Sequence, residues 1–126
     1  MWRSRLPGDN RSVTALADDS TALLDEIRSL IDAPFGGERA PFLARIEHTL
    51  TDGYARALAL EAERLRLERR IGEVAARLGD EDADDELGRK ELSVLVRRLS
   101  SADGDLARLR SLLASLRERA NAVRAA

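Results

Sequence analysis

The chain predicts an all-α fold: a long antiparallel helical hairpin, coiled-coil-like, with a short third helix packed on its base. Three observations carry that expectation. Two stretches of about 40 residues repeat aliphatic side chains at alternating steps of three and four, a period that belongs to helices and not to strands. A short polar bend rich in carboxylates separates them. A third, shorter helical stretch precedes both and stops at Pro34, Phe35, Gly36 and Gly37.

Residues 1–12 are basic and carry Pro7, Gly8, Asp9 and Asn10 as turn formers, so they read as a flexible arm ahead of a single domain, 13–126. Trp2 is the oddity there. It reads either as part of a loosely docked end or as a recruitment motif anchored between Arg3 and Arg5. From Val13 the pattern turns helical: Val13, Leu16, Ser20, Leu23, Ile27 and Leu30 form a stripe that Ala17, Leu24 and Ile31 widen. Ser12 is the expected N-cap, with Asp18 and Asp19 close enough to favour the positive end of the dipole. The spacing predicts a helix over 13–32.

Pro41 suits the first turn of a second helix, where its missing N–H costs nothing. Leu43, Ile46, Leu50, Gly53, Ala57, Leu60, Arg64, Leu67, Ile71, Val74 and Leu78 then keep one register over a helix of about 40–79. Arg64 is a charge in a core-type position, and Leu58 and Leu65 make a second line one residue off the seam. Gly53 faces the seam, where it would let another helix approach closely; a break capped by Thr51 is the alternative. After the bend, Leu92, Leu95, Leu99, Ala102, Leu106, Leu109, Leu113, Leu116, Ala120 and Val123 define a third helix over 86–123. Gly104 falls on its exposed face and costs about 1 kcal/mol relative to Ala without breaking the pattern.

Two helices of equal length joined by a short bend pair antiparallel most economically. Such pairing sets Leu78 near Leu87, Leu67 near Leu99 and Ile46 near Ala120. The first helix is half as long as the others, about 30 Å against about 60 Å, and covers only the half of the hairpin away from the bend. The remaining arm has aliphatic side chains to spare. Leu65, Val94 and Val96 sit beside the seam and imply that another helix packs there, from a second copy or from a helical protein partner.

Composition narrows the function. The formal charge is −2 while 35% of residues are charged, so both signs are interspersed and nothing draws the chain toward nucleic acid or an anionic membrane. Aromatic residues make up 3%, too few for a base-stacking platform. The absence of Cys rules out disulfides and thiolate metal sites. No apolar run reaches the roughly 18 residues of a membrane span, and a cytoplasmic location is expected. Twenty of the 21 basic residues are Arg, a bias that hints at a GC-rich genome rather than at function.

Catalytic groupings are scarce. His48 is the single histidine and lies opposite Ile46 and Leu50, so it should be exposed; without a second His or a Cys, neither a nucleophile–base pair nor a zinc site is expected. No cofactor, metal or catalytic residue is expected. The bend is the one pointed alternative: Asp80, Glu81, Asp82, Asp84, Asp85 and Glu86 crowd six carboxylates into seven residues. It resembles the acidic hairpin tips that Gre-type factors and their relatives place beside the active-site magnesium of bacterial RNA polymerase. The likeness covers the bend alone. The chain has neither the C-terminal β domain of the Gre class nor the cysteine zinc finger of the DksA class. The bland reading is a hydrated turn whose acids end one helix and start the next. The expected function is therefore a non-enzymatic, self-associating scaffold or adaptor, a homodimer. The alternative is a transcription-associated binder that contacts RNA polymerase through the tip.

Overall fold

A computed structural model describes the backbone of residues 8–80 and 85–126, and side chains from Ser20 onward within those ranges. The described residues form three helices and no strand: α1 (Gly8–Asp32), α2 (Arg39–Arg77) and α3 (Asp85–Ala125). The all-α expectation holds.

α1 begins at Gly8, ahead of the expected start, and Ser12 lies inside it rather than capping it. Gly, Asp and Asn serve turns and helix starts alike, so composition read 8–12 as arm where the backbone is already helical. The rest of the expected arm, residues 1–7 with Trp2, lies outside the described residues.

α2 starts with Pro41 in its first turn and ends at Arg77, where the chain tightens. The Leu78 N–H donates to the Val74 carbonyl at 3.1 Å, and the Gly79 and Asp80 N–H groups donate to Ala76 and Arg77 at 3.3 and 3.1 Å. α3 opens on Asp85 and Glu86, acids set against the positive end of its dipole. Both long helices run unbroken through their glycines. Gly53 is buried against Leu113, whose side chain a methyl group there would overlap, so the glycine gives close approach and not a break. Gly104 looks onto open space, as its exposed position predicts.

The described residues fall into two compact units. One holds α1, α2 as far as Tyr54, and α3 from Ser111. Ile27, Leu30, Ile46, Leu116 and Ala120 are fully buried in it, with Leu113 and Val123 nearly so. Arg124 meets Glu47 at 2.7 Å, and Arg117 Nε donates to the Tyr54 hydroxyl at 3.0 Å, which fixes α2 and α3 as antiparallel. α1 has no basic residue in its last turn. A cation comes from α3 instead: Arg119 donates to the Ala33 carbonyl and lies 5.6 Å above the Phe42 ring, itself stacked on Phe35.

The other unit, Ala55–Arg110, is α2 against α3, again antiparallel. Leu67, Val74, Leu95 and Ala102 form its inner line; Ile71, Leu92 and Leu99 pack along the rim, half-buried. The expected meeting of Leu67 with the Leu99 level is present. Leu78 likewise reaches the expected level of α3, beside Leu87, but the exposed Leu87 side chain is not what it packs on. Leu78 instead packs on Gly88, where an added methyl group would come within 2.5 Å of Leu78 Cδ2, and Leu87 turns outward. Gly88 has no side chain to hold the helices apart, so Leu78 closes onto it one residue later in α3. Arg64 keeps its stem along the seam and sends its guanidinium to Asp103 at 3.5 Å, which reconciles a charge with a core-type position.

Candidate interaction surface

Because α2 and α3 are antiparallel, the Ala55–Arg110 unit has two flanks, and ion pairs mark each one. On the first, Glu91 accepts from Arg70 at 2.6 and 3.0 Å and from Arg77 at 3.3 Å, while Arg98 reaches Glu63 at 3.5 Å. The hydrogen bonds that Arg70 donates to Glu91, then to Glu73, push its guanidinium further above its ordinary value. On the second flank Arg110 pairs with Glu61, and Arg64 with Asp103. These groups are solvated, so water and salt screen the pairs and each contributes little to stability. They orient the surface more than they stabilise it.

The exposed aliphatic residues divide between the flanks. Leu87 and Val94 stand four residues before and three after Glu91, which places them on the first. Leu58 and Leu65 stand three before and four after Glu61, and Val96 one heptad before Asp103; these belong to the second. Leu65, Val94 and Val96 are all exposed, as the sequence implies. The structure brings Leu65 and Val96 to one flank and leaves Val94 with Leu87 on the opposite one. Leu58 belongs with Leu65, and its signal was the seven-residue step between them.

The other candidate positions do not gather into a chemical site. Asp80 and Asp85 are exposed, while Glu81, Asp82 and Asp84 lie outside the described residues, as does Trp2. Among the described residues no three His, Asp or Glu side chains come together as metal ligands. His48 is exposed, 3.5 Å from Asp52 one turn on. No helix among the described residues is long and apolar enough to cross a membrane.

What the geometry defines is a helical hairpin protein with apolar side chains on its outer faces. Compared with protein-family models, with curated proteins and with solved structures, the chain matches none.

Proposed function

We propose that this protein is a non-enzymatic cytoplasmic interaction protein, a helical hairpin that self-associates as a homodimer and serves as scaffold or adaptor. One observation carries the reading. Of the six large hydrophobic residues exposed among the described ones, five (Leu58, Leu65, Leu87, Val94 and Val96) lie in Ala55–Arg110 and one, Tyr54, outside it. Single exposed leucines are ordinary on a protein surface. Several in one short unit, with Leu58, Leu65 and Val96 gathered on one flank, are what a packing face requires. Each exposes about half to two thirds of its surface, so covering it would stabilise an assembly by roughly 1–2 kcal/mol before the cost of association, and a two-fold homodimer is the commonest closed way to do it.

Sedimentation velocity at micromolar concentration tests this. Twice the chain mass is expected, falling to the monomer mass in the Leu65→Ser, Val96→Ser double variant with helicity retained. A wild-type chain that sediments as a monomer at tens of micromolar would overturn the proposal.

A further inference from the structure

The outer stripe of α2 in this unit runs Leu58, Leu65, Gly72, Gly79 at seven-residue steps, the last just past the helix end. The two leucines are 66% and 57% exposed. A methyl group at Gly72 would meet no other atom within 4 Å, so nothing described in this chain requires glycine there. The stripe thus pairs two exposed bulky residues with two glycines, Gly72 facing open space and Gly79 exposed, where a methyl group would meet only its own helix end, the Ala76 carbonyl at 3.6 Å. Between Leu65 and Gly72 lie Glu68 and Arg69, both exposed, and neither holds an ion pair among the described residues.

Resting on the self-association read above, we propose that the occupant of this stripe is the same stripe of a second copy, α2 antiparallel to α2 about a two-fold axis between Glu68 and Arg69. The pattern is its own complement under that rotation. Leu65 then lies over the partner's Gly72 and Leu58 over the partner's Gly79, bulk onto gap along the contact. Glycine lets the two backbones approach closely enough for the leucines to touch the helix surface beneath. At the axis Glu68 meets the partner's Arg69 and Arg69 meets the partner's Glu68, so two free charges on each copy are matched. A parallel arrangement in register would set leucine on leucine and like charge on like charge. Self-complementarity about a midpoint is what a two-fold interface demands and what a foreign helix has no need of. Val96, on the same flank, widens the apolar patch; Leu87 and Val94, on the other, stay outside the contact.

Charge reversal in the full-length chain tests the register, with mass by sedimentation and helicity by circular dichroism as the readouts. Glu68→Arg alone and Arg69→Glu alone should each raise the dimer dissociation constant at least tenfold, because each sets like charges against each other twice. An equimolar mixture of the two variants should recover a heterodimer, since both contacts then join opposite signs. Gly72→Met should weaken the dimer at least tenfold while helicity holds or rises. Leu87→Ser with Val94→Ser should leave the mass unchanged. A wild-type dimer indifferent to Gly72→Met, or a mixture that stays monomeric, would overturn this register and leave self-association through another face. A monomeric wild type would remove both readings together.

Discussion

The line of leucines that α3 turns toward α2 has two fates. In the unit that holds α1, Leu113 and Ala120 are buried; in the unit without it, Leu92 and Leu99, at the same repeat positions and toward the bend, remain half-buried, and burial is reached only at Leu106, the last of that line in the unit. Leu113 and Leu99 are the same residue type, so the difference between them lies in what surrounds them. Two helices bury one narrow line each, and a side chain just off that line keeps an edge in water. A third helix closes the edge, as the complete burial of Ile27 and Leu30 shows from the α1 side. The same comparison explains where the exposed aliphatic residues gather. Leu58, Leu65, Leu87, Val94 and Val96 belong to the unit with two helices, the one with apolar surface still to cover.

The largest expected effect is the sharpest way to break the comparison. Leu116→Ala, in the unit with three helices, should cost about 3–5 kcal/mol, because a fully buried leucine leaves a cavity that its surroundings close only in part. Leu99→Ala should cost less, roughly 1–2 kcal/mol, since its half-exposed site never excluded water fully. Chemical denaturation of both variants below the concentration of self-association measures the gap. Equal losses would mean that α1 adds no real depth.

The glycines should move stability in opposite directions. Gly53→Ala gains helix propensity but drives a methyl group into Leu113, and a net loss of about 1–2 kcal/mol is expected from overpacking. Gly104→Ala meets open space and should gain about 0.5–1 kcal/mol. Thermal melting that shifts the same way for both would show that α2 and α3 do not close on each other at Gly53.

The smallest effect sharpens the comparison by its sameness. Arg124→Ala, which removes the pair with Glu47 in one unit, and Arg98→Ala, which removes the pair with Glu63 in the other, should each cost under about 1 kcal/mol. Added salt should shrink both alike. A marked difference between them would place the contrast in the charges and not in the core.

The seam is legible in the sequence because a 3-4 repeat is a property of one helix at a time. Every seam position assigned to α2 and α3, from Leu43 to Leu78 and from Leu92 to Val123, is buried or half-buried, including Gly53 and the awkward Arg64. Pro41 at one helix start, and Asp85 with Glu86 at another, follow from local chemistry in the same way. The start of α1 is less legible, since the residue types that open a helix are those that form turns.

By itself, then, the sequence determined which residues face inward along each helix and roughly where the two long helices end, because periodicity and end chemistry act over neighbours on one chain. Only the tertiary structure decided that Leu78 packs on Gly88 and not on Leu87, and that Leu65 and Val96 share one flank while Val94 lies on the other. Those facts depend on the axial stagger and facing of α2 against α3. Close packing sets the stagger side chain by side chain, at places such as Gly53 on Leu113 and Leu78 on Gly88, and no repeat within a single helix contains it.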